Sequence, residues 1–175
     1  MPLEPLPVSI LALMNTTEWL DADEQAAWRA YLAATTRITA HLNELLKREF
    51  DLTQPDYEVF VHLSEAEDMR LKMSDLADKV LLSPSRLTYR VDRLEREGWL
   101  SRIRCVQDAR SMWAQLTPSG LGLIEQAAQI YVTEVRHQLL DVFPRAEWLL
   151  LGQRLDEVVR RLDAPGLDAD GDLSA

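Results

Sequence analysis

Cysteine is almost missing from this chain: Cys105 stands alone among 175 residues. That excludes an internal disulfide and any multi-cysteine metal site. Histidine is scarce as well. His41, His62 and His137 are scattered, with neither a His-x-x-His step nor the acidic pairing that zinc would need, so no metal site is expected. The sequence has no Gly-x-Ser-x-Gly elbow, no phosphate loop and no dinucleotide fingerprint, which argues against an enzyme and against a bound cofactor. Long apolar runs are also lacking. Ser9 to Met14 is far too short to span a bilayer. The first seven residues carry no Lys or Arg, so they lack the n-region of a secretory signal, and a cytoplasmic protein is expected.

What is present is ordinary for a soluble globular protein, with 47% hydrophobic and 27% charged residues. The length suits one domain with flanking helices. The net charge is −10. Taken whole, that acidity opposes nucleic-acid binding, which needs clustered cations. Three prolines among the first seven residues predict an extended arm over residues 1–16, unless translation begins at Met14. After Leu162 the chain offers Pro165, two glycines and four aspartates with little to bury, and residues 164–175 are expected to be a disordered tail.

Between these ends the pattern is helix, compact middle, helix. From about Asp23 to Lys47 there is no Pro or Gly, and Tyr31, Ile38, Leu42 and Leu45 recur at helical steps. Thr53 or Gln54 opens a second helix, with Pro55 in its first turn. Met73 to Val80 reads as a brief helix with Ser74 as a possible cap. Leu81 and Leu82 form a turn. Ser83 followed by Pro84 is an N-cap and then proline at the first helical position. That helix closes at Gly98. Two strands, Trp99 to Val106 and Ser111 to Leu116, join through Gln107-Asp108-Ala109-Arg110. A long helix runs from Thr117-Pro118 to about Val142, and a last one carries Trp148, Leu151, Leu155, Val158 and Leu162. The fold class is therefore mainly α with a small β-hairpin wing: a winged helix-turn-helix over residues 50–117. Residues 17–49 and 118–163 form a helical region whose apolar stripes need a partner, most simply a second copy of the chain.

In this order and spacing, the fragments Leu52-Thr53-Gln54-Pro55-Asp56-Tyr57-Glu58-Val59, Leu82-Ser83-Pro84-Ser85, Val91-Asp92-Arg93-Leu94-Glu95-Arg96-Glu97-Gly98, Asp108-Ala109-Arg110 and Leu116-Thr117-Pro118-Ser119-Gly120 resemble the MarR family of winged-helix transcription regulators. The resemblance implies a homodimer on a pseudo-palindromic double-stranded DNA operator, commonly a repressor released by a small aromatic or phenolic effector. It also implies that Arg110 reaches from the wing toward the minor groove and that Asp108 holds it by an ion pair. Effectors in the family bind between the dimerisation helices and the DNA-binding lobe. Trp28, Tyr31, His41, Tyr57, Phe60 and Trp113 are the candidate lining residues, although aromatics at helical spacing more often pack as core.

On a helix of roughly 100° per residue, Leu87, Val91 and Leu94 fall on one side. Ser85, Tyr89, Arg93 and Arg96 point the other way, with Arg86 and Arg90 on the flank. Residues near the start of such a helix enter the major groove most deeply. Ser85, Arg86, Tyr89 and Arg90 are thus base-reading candidates, Thr88 belongs to the same surface, and Arg93 and Arg96 are placed to touch phosphate. A solvated charged face is the plainer alternative. Local charge favours DNA: residues 84–110 hold seven arginines against four acids, a balance of +3 that leaves −13 for the remainder. Two other functions stay open. One is a winged-helix protein-interaction module without DNA binding. The other is a thiol redox sensor through Cys105, whose neighbours Arg102 and Arg104 would favour thiolate, although the family's peroxide sensors carry their cysteine near the first helix.

Overall fold

In the computed structural model, residues 18–104 and 111–164 are described. The chain divides into two compact units, Met1–Arg37 and Ile38–Ala175. Helix α1 (Ala22–Phe50) begins at a reciprocal capping box: the Asp21 N–H donates to Glu24 at 2.9 Å and the Glu24 N–H to Asp21 at 2.8 Å. Its buried residues, Leu42, Leu45 and Leu46, all lie in the second half. Tyr31, at the other end of the same apolar stripe, is exposed.

The rest of the order is α2 (Gln54–Ser64), a 3-10 turn (Glu67–Met69), β1 (Arg70–Lys72), α3 (Met73–Lys79), α4 (Pro84–Arg96), β2 (Leu100–Arg104), β3 (Met112–Leu116), α5 (Pro118–Gln138), a second 3-10 turn (Leu140–Val142) and α6 (Arg145–Asp163). The expected winged helix-turn-helix is α3, α4 and the β2–β3 hairpin. The sheet has a third strand that the sequence does not announce. β1 pairs antiparallel with β3, with Leu71 opposite Ala114, giving the order β1-β3-β2. Three residues are too few to show a two-residue period, and the chain enters β1 through left-handed backbone at Asp68 and Met69.

Two other boundaries differ from the sequence reading. Ser74 does not cap α3; the N-cap is Lys72, without a side-chain bond, and the Ser74 hydroxyl donates to Asp75 instead. Helix α5 stops at Gln138 rather than near Val142. Pro144 disfavours helical backbone at Phe143, which is extended, and the intervening residues tighten into the 3-10 turn.

The core of the second unit joins α2, α3, α4, the sheet and α5 through Phe60, Leu63, Leu76, Leu87, Leu94, Leu116 and Ile124. Burial of each such side chain stabilises by about 1.5–3 kcal/mol. At one place the backbones themselves touch. Gly120, in the first turn of α5, lies so close to the wing that an added Cβ would sit 2.1 Å from the Trp99 carbonyl oxygen. The Thr117 hydroxyl caps α5 by accepting from the Gly120 N–H, and it lies within hydrogen-bonding distance of the Gly98 and Trp99 carbonyls. The Ser119 hydroxyl donates to the Gly98 carbonyl at 2.9 Å.

Candidate nucleic-acid interface

Helix α4 starts where local chemistry says it should. The Ser83 hydroxyl accepts from the Arg86 N–H, and Pro84 takes the first helical position. It ends at Gly98, whose φ of +77° is the left-handed conformation that glycine adopts without a Cβ penalty. Leu87, Val91 and Leu94 are fully buried. That fixes the rotation of the helix and sends its polar side outward. Ser85, Arg86, Thr88, Tyr89 and Arg96 are exposed, Tyr89 to 71%. Thr88 returns its hydroxyl to the Pro84 carbonyl, and Ser85 lies 3.3 Å from the Ser83 hydroxyl. Ser85, Arg86, Tyr89 and Arg90 line one shallow groove with Pro55 and Leu82.

Arg90 and Arg93 are not free cations. Both reach across to Asp56, in the first turn of α2, which is completely buried. Arg90 Nη1 lies 3.1 Å from Asp56 Oδ1 and 2.8 Å from the Thr53 hydroxyl, while Arg93 Nη2 lies 2.6 Å from Asp56 Oδ2 and Nη1 donates to the Asp51 carbonyl. The Thr53 N–H and hydroxyl also donate to Oδ2. A buried carboxylate is tolerable only with such a full set of donors. The sequence reading did not single out Asp56, although the Thr-x-x-Asp spacing of a capping box was visible at the head of α2.

Arg102 is spent in the same way. Its backbone N–H and its Nε donate to the two oxygens of Glu95 at 2.9 and 2.8 Å, and its guanidinium also meets Asp92. This ties β2 to α4. Partial burial opposes ionisation of Glu95, but the Arg102 hydrogen bonds outweigh it and hold the carboxyl below its ordinary value. Among the described residues of the arginine-rich stretch, Arg86, Arg96 and Arg104 have no carboxylate partner. Asp108, Arg110 and Cys105 lie outside the described residues.

The six aromatic and histidine candidates for an effector pocket are divided between the two units. In the first unit Trp28 and Tyr31 stack on each other and are exposed. In the second, His41 contacts Glu134 at 2.7 Å, Tyr57 stacks on Tyr131 with centroids 4.2 Å apart, and Phe60 is buried in the core against Trp99. Trp113 lies on the outer sheet face beneath Arg70 and Lys72. Burial drives the Tyr57 hydroxyl up to about 12, with Tyr131 and Glu58 adding to it. Tyr131 is raised by the same burial and accepts from Gln54 Nε2 at 2.8 Å.

A sequence model described as the MarR family matches residues 52–112. The crystal structure of AbsC, a MarR family transcriptional regulator from Streptomyces coelicolor, is 36% identical with a TM-score of 0.79, over 83% of this chain and 98% of that one. Sco3205, a MarR family transcriptional regulator from the same organism, solved in complex with DNA, is 33% identical with a TM-score of 0.81, over 85% of this chain and 93% of that one. A homoprotocatechuate degradative operon repressor from Escherichia coli is 27% identical over 142 residues, 78% of this chain and 93% of the relative.

Proposed function

This chain belongs to the MarR family of transcription regulators, and from that premise we propose that it is a homodimeric repressor that reads a pseudo-palindromic operator. One observation carries the reading. Helix α4 is capped and locked on its apolar side, and it holds Ser85, Arg86 and Tyr89 in one exposed groove at its N-terminal half, where a helix meets base edges in a major groove. Sco3205, of the same architecture, is solved with DNA. Arg86 and Arg90 offer the fork that guanine O6 and N7 accept. Arg96 lies further along, where phosphate contacts set the register.

The dimer is supported by unpaired apolar surface. No residue of α6 is buried, and Leu149, Leu150, Val158, Val159 and Leu162 are exposed along it. In the first unit Trp19, Leu20, Trp28 and Leu32 are exposed as well. Surfaces of this kind mark protein contacts. Two helix-turn-helix units related by a dyad would read half-sites about 10 base pairs apart. A small aromatic or phenolic effector would release the operator by binding the two dimer states unequally. The relative named for the homoprotocatechuate operon supports a repressor of this type.

An electrophoretic shift with DNA flanking the protein's own coding region tests the proposal. The expected result is a discrete complex that survives excess non-specific competitor. Complexes that vanish with competitor, or a 20 kDa species in sedimentation at micromolar concentration, would contradict it.

A further inference from the structure

We propose that Asp56 is a positioning residue for DNA recognition: from beneath, it pins the Arg90 and Arg93 side chains at the operator-facing surface and so sets how well the protein tells one sequence from another. This rests on the reading that α4 enters the major groove.

The geometry argues for more than a helix cap. Capping α2 needs only the Thr53 N–H contact at 2.8 Å. Asp56 additionally gathers two guanidinium groups from another helix, 34 and 37 residues away. Arg90 and Arg93 are three residues apart on α4, so their stems rise from one side of it. Each is about one-quarter exposed, at 27% and 26%, whereas Asp56 is at 0%. The carboxylate is therefore sealed beneath the two forks. Arg93 uses both terminal nitrogens on the chain itself, one on Asp56 and one on the Asp51 carbonyl. Arg90 uses only Nη1, so its remaining donors stay available on the groove it shares with Ser85, Arg86 and Tyr89.

Such a clamp has two effects of opposite sign. Holding the arginines in one conformer removes, before DNA arrives, the side-chain entropy that binding would otherwise cost. That favours the sequence the fixed fork matches. The same carboxylate lowers the positive charge of the face, which weakens attraction to any phosphate backbone. Asp56 thus raises discrimination while lowering indiscriminate affinity. A carboxylate needed only to hold the fold would do neither; its loss would reduce the folded fraction and weaken all DNA binding in proportion.

Asp56→Asn separates these cases. The full chain is titrated by fluorescence anisotropy against the tightest duplex that wild type selects from a random pool, and against a scrambled duplex. The variant is expected to lose about tenfold on the selected duplex, and to bind the scrambled one as tightly as wild type or tighter, with a salt slope steeper by about one. An unchanged ratio between the two duplexes overturns the proposal, as does a parallel loss on both. A wild-type protein that selects nothing defeats the reading of α4 itself, and that outcome is seen before any substitution is made. Should Asp56→Asn not fold, side-chain NMR on wild type decides. Ordered Nε–Hε groups at Arg90 and Arg93 beside a mobile Arg86 support the clamp, and equal mobility at all three overturns it.

Discussion

Helix α4 buries Leu87, Val91 and Leu94 completely against its own chain, while the longer α6 buries none of its side chains. Both are amphipathic, and both carry two arginines in the last turn, Arg93 and Arg96 in α4 and Arg160 and Arg161 in α6. The difference lies in where the apolar side finds cover. For α4 it is inside the second unit, so its polar face is presented by a rigid body. For α6 the described residues supply no such cover, and Leu162 is 70% exposed. A helix whose rotation is fixed by its own core can read a groove with fixed side chains; a helix with exposed aliphatics leaves an apolar face for a partner, as the proposed dimer requires.

The largest effect should come from breaking the first half of that contrast. Leu94→Ala removes a fully buried side chain beneath the proposed DNA-facing surface and is expected to cost about 2–5 kcal/mol in urea unfolding; a cost near zero would mean that α4 is not held by its core. Next comes α6. Val158→Glu combined with Leu162→Glu should turn a dimer into a 20.0 kDa species in sedimentation, with the melting transition of the winged unit retained. A dimer that survives both charges places the interface on other helices. Arg86→Ala, on the exposed side of α4, should cost about 1–3 kcal/mol of operator affinity with stability unchanged. Arg110→Ala should lower the salt slope by about one if the wing touches phosphate.

The smallest effect is on pH dependence. Glu95 ties α4 to β2 through Arg102 and is held below its ordinary carboxylate value of 4.5. A lowered folded-state value stabilises above the unfolded value, and that contribution is lost as pH falls through the folded one. Acid should therefore remove under about 1 kcal/mol from the fold below pH 4.5, and Glu95→Gln should flatten this limb in chemical denaturation. At the other extreme Tyr57, raised to about 12, keeps its proton in the fold after the unfolded chain has lost it, so stability declines from about pH 10 upward.

Local signals carried α4 almost entirely. Ser83, Pro84 and Gly98 mark its ends, and Leu87, Val91 and Leu94 mark its buried side, because caps and periodicity act within a few residues. What spacing could not supply was the identity of neighbours. Arg93 reads as a free cation on a helical wheel, yet its partner Asp56 lies 37 residues earlier. The same holds for Arg102 and Glu95. Trp113 and Phe60 look alike as aromatics, but strand alternation puts one on the outer sheet face and the fold puts the other in the core. β1 was invisible because it is a strand only by virtue of β3 beside it.

The contact at Gly120 has a mechanical consequence. The end of α4, the first wing strand and the head of α5 meet there at van der Waals range, backbone against backbone, with Thr117 and Ser119 stitching them together. That knot is a fulcrum, and the 21 residues of α5 form a lever of about 30 Å extending from it. One degree of tilt at the fulcrum moves the distant end by about 0.5 Å over that length. Acting about that fulcrum, a displacement at the far end of α5 would be reduced to a small rotation at the end of α4, the helix proposed to face DNA.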